Sequence, residues 1–177
     1  MSKIQSFLCN SGPDHKGRTL DQILTLDDAS WDKCHDFIQW LFPLPVASKF
    51  FAGDDCPVLT LGDLSLGMGH SVVRENLKKS VDRYLKFLGL SGECWTDEVP
   101  HVYLSNKFSE QADYWLKAND HNHLRINRML QCLVLFGLED LAKIIFRALV
   151  MIKCEFDDCI TGQTMIYWRN ALTGYSY

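Results

Sequence analysis

Residues 71–89 read Ser-Val-Val-Arg-Glu-Asn-Leu-Lys-Lys-Ser-Val-Asp-Arg-Tyr-Leu-Lys-Phe-Leu-Gly. Val73, Leu77, Val81, Tyr84 and Leu88 recur at helical spacing and leave the charged residues on the opposite side, the pattern of an amphipathic helix. Ser71 is a good N-cap and Gly89 a good left-handed stop. The same period continues on both sides. Asp27 or Asp28 caps a helix expected to run to Phe42, where Pro43 stops it, with Trp31, Cys34, Ile38, Leu41 and Phe42 inward. Thr60-Leu61-Gly62-Asp63 resembles a capping box opening a short turn, and Gly67-Met68-Gly69 is expected to break the chain again. Helices are also expected over Thr19–Thr25, Ser105–Lys117, Asn119 or Asp120 to Gly137, Glu139–Lys153 and Gly162–Leu172. Residues 43–58 hold Pro43, Pro45 and Pro57 and read as a connection; 90–103 read as loop. Only Val102–Leu104 alternates like a strand, and it is too short to build a sheet. The chain is therefore expected to be all-α, one domain over residues 1–177, a single compact bundle of roughly six or seven helices.

Composition agrees with a globular fold. The chain has 177 residues, of which 47% are hydrophobic and 23% charged, values that exclude disordered and low-complexity classes. The net charge of −4 argues against nucleic acid, which recruits a basic field. The seven cysteines are an odd number with no CxxC pair, which reads as free thiols in a reducing compartment. The N-terminal stretch has no apolar core of a signal peptide, and the apolar run near Ala142–Ile152 is interrupted by Lys143 and Arg147. A soluble, cytoplasmic protein with no membrane contact is expected.

Two stretches are polar where a buried helix should not be. In the first, His35 and Gln39 lie one turn apart beside Trp40, with Asp32 and Asp36 beyond them. In the second, His121, Arg125, Arg128 and Cys132 fall on one strip, opposite Ile126, Met129, Leu130 and Leu133. Asn119, Asp120 and His121 sit at the helix start, where unpaired N–H groups and the helix dipole favour negative charge; two arginines there suit an anion. The competing reading is structural: His35 and Gln39 bind nearby loop carbonyls, and the arginines pair with acids. Metal chelation is not expected, because His121 and His123 point to different faces and Cys154 and Cys159 do not share one. Motifs of serine hydrolases, P-loop proteins, zinc proteases and dinucleotide-binding folds are missing. No cofactor is expected, and the balance is against an enzyme.

At these stretches the sequence resembles the conserved region of the opioid growth factor receptor family. The segments carrying the resemblance are HDFIQWLFPLP at 35–45, CPVLTLGDL at 56–64, VRENLKKSVDRYLKFLGL at 73–90 and NDHNHLRINRMLQCLVLFGLEDL at 119–141. Order and spacing agree over nearly the whole chain, which reads as a short stand-alone version of that region. Phe37 stands where a Tyr is common in the family and Asn127 where a Thr is common. The resemblance implies a receptor-like binding protein, the vertebrate members being described as binding met-enkephalin. Its polar signature falls here on His35, Gln39, Trp40, His121, Asn122, Arg125 and Arg128.

The expected function is a helical binding module holding a peptide or small anion in a polar cleft lined by those seven residues. That cleft requires the two polar stretches to converge, rimmed by Trp40 and the 43–57 connection. The alternatives are a protein-interaction adaptor or inhibitor, marked by an exposed apolar patch such as the Gly162–Tyr177 end, and a hydrolase or transferase on a phosphate-bearing substrate with His35 or His121 as acid–base.

Overall fold

Three sequence boxes decide where helices begin in the first part of the chain. Ser2 with Gln5, Thr19 with Gln22 and Thr60 with Asp63 each cap reciprocally, side chain to backbone in both directions. They open α1 (Lys3–Leu8), α2 (Leu20–Leu24) and α5 (Leu61–Gly69); α3 (Asp28–Lys33) and α4 (Ile38–Leu41) lie between. The computed structural model describes residues 1–49, 51, 55–92 and 101–173. Its chain divides into two compact units, Met1–Val81 and Asp82–Tyr177, and α6 (Ser71–Phe87) supplies residues to both.

The first unit is built from short pieces around aromatic rings. Phe7, Trp31, Phe37, Trp40 and Phe42 are buried, with Phe7 edge-on to Trp40 at 5.4 Å and Trp31 against Phe37 at 4.7 Å. Each such side chain contributes roughly 1.5–3 kcal/mol of burial. Asn76 of α6 is buried and donates to the Leu8 carbonyl at 2.8 Å, satisfying a group left over at the end of α1. A parallel bridge, Leu44 to Val58, ties the two ends of the proline-containing connection.

The second unit comprises a two-stranded antiparallel ribbon, β1 (Leu90–Gly92) and β2 (Val102–Leu104), then α7 (Phe108–Trp115), α8 (His121–Leu135), α9 (Glu139–Glu155) and α10 (Gly162–Ala171). The ribbon pairs Leu90 with Leu104 and Gly92 with Val102. Helix α8 is its centre, packed on α7, α9 and α10. Gly89 and Gly137 take left-handed φ values of 75° and 69° just beyond α6 and α8, as C-terminal stops require.

The helical class stands, with ten helices among the described residues where six or seven were expected. The surplus comes from α1, which was not expected, from α5, expected only as a short turn, and from a long helix expected from residue 28 to 42 that divides in two. Cys34 is extended (φ −80°, ψ 121°), and α3 ends there. The break lets Trp31 and Phe37 both turn inward, while Asp36 takes ion pairs from Lys16 and Arg18. Gly67, Met68 and Gly69 continue α5 rather than breaking the chain.

Candidate functional site

The first unit holds a cleft of about 570 Å³. Ser2, Lys3 and Ile4 of α1, Pro13–His15, Trp40, Asp55–Val58, and Thr60 with Asp63 line it. Two of its three carboxylates are already committed. Asp14, its side chain fully buried, accepts from the Lys16 and Arg18 backbone N–H groups, each at 2.8 Å, and from Arg18 Nε at 2.7 Å. Asp63 accepts from Ser2 Oγ, from Thr60 Oγ1 at 2.7 Å and from the Thr60 N–H at 3.0 Å. Burial opposes its ionisation, but those donors outweigh burial and hold the carboxyl below its ordinary range. Lys3 and Asp55 are exposed and carry no ion pair among the described residues. The cleft thus offers an occupant one carboxylate and one ammonium.

Trp40 lies nearly buried at the wall of this cleft and donates its Nε1–H to His15 Nδ1 at 3.1 Å. The two rings are within 6° of parallel, and Phe51 tilts against His15 at 4.9 Å. Gln39, beside Trp40 on α4, is buried and does not line the cleft. Its Nε2 donates to Ser48 Oγ at 3.3 Å, and its Oε1 has no partner among the described residues. The Ser48 N–H in turn meets Cys56 Sγ at 3.4 Å. His35 is exposed in the break between α3 and α4, outside the lining. His35 and Gln39 are therefore not one turn apart on a helix; they occupy a bend and a separate helix.

His121, Asn122, Arg125 and Arg128 lie on α8 of the second unit. Asp120 is its N-cap, accepting from the Asn122 N–H at 2.8 Å, and Asn119 precedes it at φ 61°. Of the strip expected to face a ligand, Arg125 and Cys132 turn inward while His121 and Arg128 stay half-buried. Asn122 is fully buried; its Nδ2 donates to the Tyr114 carbonyl at 2.9 Å, its Oδ1 accepts from Arg125 Nη1 at 3.1 Å, and its own carbonyl accepts from Tyr84 Oη at 3.2 Å. Arg125 is only 5% exposed, whereas its neighbour Leu124 is 52% exposed. The core side expected at Ile126, Met129, Leu130 and Leu133 is buried, and Arg125 is buried with it because α8 is enclosed by three helices and has little free face. Cys132, on the same strip, is buried, and burial pushes its thiol well above the usual range, which makes it a poor nucleophile. His121 is half-buried, its Nδ1 3.5 Å from Asp120 Oδ1, and Arg128 is half-buried.

His123 and His15 were not singled out from sequence. His123 is a core residue: Nε2 meets the Trp115 carbonyl at 3.0 Å, and Trp115 and Trp168 stand edge-on to its ring. Burial lowers its pKa against the opposing pull of the Asp120 charge and the Trp115 carbonyl. His15 sits in the loop after Gly12-Pro13, where no periodicity marks it; its partner Trp40 was the available clue. Among the described residues no group of three or more His, Cys, Asp or Glu could hold a metal ion, and no helix is long and apolar enough to cross a membrane.

These features define a helical protein with a polar, aromatic-walled cleft. The chain belongs to the opioid growth factor receptor family: the model of the Opioid growth factor receptor (OGFr) conserved region matches residues 14–173. No curated protein and no solved structure is significantly similar to it.

Proposed function

We propose that the chain is a peptide-binding module of the opioid growth factor receptor type, and that the cleft beside Trp40 is its seat. One observation carries this reading: the cleft's buried acids, Asp14 and Asp63, are internally satisfied, while Asp55 and Lys3 are left as an opposite-charge pair on its rim. A zwitterionic peptide matches both charges; a small anion matches only Lys3 and is repelled by Asp55. Ile4, Pro57 and Val58 supply apolar wall for side chains between the termini. In this reading Asn122 and Arg125 shape α8 and do not touch the ligand.

Titration calorimetry with met-enkephalin and its N-acetylated form tests the assignment. Wild type is expected to bind the free peptide, with Asp55→Asn or N-acetylation weakening it about threefold to fivefold, the range of one exposed ion pair. Absence of binding, or binding unchanged in both Asp55→Asn and Trp40→Phe, overturns the proposal.

A second reading, an interaction adaptor, draws on α5, where Leu61 is 81% and Leu66 62% exposed. At the expected C-terminal patch Ile166 and Tyr167 are exposed. A Leu66→Glu variant that keeps peptide affinity but loses a co-purifying protein would favour it.

A further inference from the structure

His15 is a polar group of the cleft held by a hydrogen bond at one ring nitrogen and by two aromatic neighbours. Its Nδ1 accepts the Trp40 Nε1–H at 3.1 Å. An indole nitrogen only donates, so Nδ1 must carry a lone pair, and the imidazole proton resides on Nε2. Near-parallel alignment with Trp40 and the tilted contact with Phe51 hold the ring in that pose. Nε2–H has no protein acceptor among the described residues, although the half-buried ring lines the cleft. With its proton on Nε2 and its lone pair engaged, this imidazole is set up to donate, not to act as a base.

We propose that His15 is the selectivity residue of the cleft, locked by Trp40 as an Nε2–H donor that requires a carbonyl or carboxylate oxygen on the occupant. The inference rests on the peptide reading above and adds to it what the peptide must present. It also gives Trp40 a task, that of positioning His15. An oxygen of either kind would be oriented by a donor that needs no rearrangement on binding, so the contact discriminates against occupants lacking an acceptor there.

The test has one arm without ligand and one with it. Nitrogen-15 imidazole spectra of the free wild-type protein are expected to show His15 as the Nε2–H tautomer, and Trp40→Phe is expected to release it into a mixture. Met-enkephalin and its C-terminal amide are then titrated into wild type, His15→Phe and His15→Gln. His15→Phe keeps the ring against Phe51 but removes the donor, and about tenfold weaker binding is expected, with partial recovery in His15→Gln. If the acceptor is the terminal carboxylate, the preference for the free acid is smaller in His15→Phe than in wild type; if it is a backbone carbonyl, both forms weaken equally. An Nδ1–H tautomer in the free protein, or undiminished binding in His15→Phe, overturns this inference while leaving the peptide reading intact. Failure of wild type to bind either form overturns both.

Discussion

Arg125→Ala separates a ligand-binding guanidinium from a structural one. The side chain is 95% covered and donates to Asn122 Oδ1, and Asn122 in turn holds the Tyr114 carbonyl. Removing the guanidinium deletes a charge-assisted hydrogen bond at a buried acceptor, about 1.5–3 kcal/mol. Truncating the buried stem adds about 1–2 kcal/mol of lost apolar burial. A destabilisation of about 3–5 kcal/mol is expected, a large share of the roughly 5–15 kcal/mol that holds a domain folded. Arg125→Met retains the stem and should lose only the first part. Urea unfolding followed by far-ultraviolet circular dichroism measures both, and calorimetry with met-enkephalin at a temperature where each variant is folded measures binding. The expected result is a large stability loss with unchanged affinity. A variant within about 0.5 kcal/mol of wild type, the range of an ordinary surface substitution, and with lost affinity would refute the assignment of Arg125 to the interior.

His123 makes the second unit acid-sensitive. Its native pKa is lowered by burial, so the unfolded chain takes up the proton first, near pH 6.5, and stability present above that pH is lost as pH falls below it. Melting curves between pH 7.5 and 5 should show this slope in wild type and a smaller one in His123→Gln; equal slopes would exclude His123 as the cause. Gly89→Ala must accept a φ of 75° and place a Cβ 2.7 Å from Phe108 Cα, whereas Gly17→Ala accepts a φ of 80° with nothing within 4 Å. The left-handed conformation costs about 1–2 kcal/mol in both, and the overlap adds about 1–3 kcal/mol only at Gly89. Similar losses in urea unfolding of the two variants would contradict the close approach.

The long helices were legible because their signals are local and redundant. The face of Val73, Leu77, Val81 and Tyr84 was visible as a period, Gly89 marked its end, and Val73, Leu77, Val81 and Tyr84 are all buried. The capping box at Thr60 was equally plain, since donor and acceptor lie three residues apart. The break at Cys34 was not, because Trp31, Ile38 and Leu41 fit an uninterrupted helix as well as an interrupted one. What decides it is the joint burial of Trp31 and Phe37 and the pull of Arg18 on Asp36, both tertiary. Burial opposes ionisation of Asp36, yet the hydrogen bonds from Lys16 and Arg18 hold its carboxyl below the usual range, which shows how firmly the bend is tied to the 14–18 loop.

The same distinction explains why the polar signature divides. A helical wheel ranks residues by angle and is silent on how many neighbours a helix has. On α8, surrounded by α7, α9 and α10, the polar side chains of Asn122, His123 and Arg125 take partners from within the unit, namely the Tyr114 carbonyl, the Trp115 carbonyl and the Asn122 amide, while the buried His123 Nδ1 has none among the described residues. Helix α4, only four residues long, is as deeply buried, but it brings Trp40 to the wall of the cleft. Trp40 gives its one donor to a loop histidine that borders open space. Contacts confined to the interior hold a fold together, and substitutions in them are read in stability. A chain of donors that ends in a cavity has an unfilled last position, and substitutions along it are read in what the cavity accepts. That is the physical reason for seeking the ligand at Trp40 and His15 rather than at Arg125.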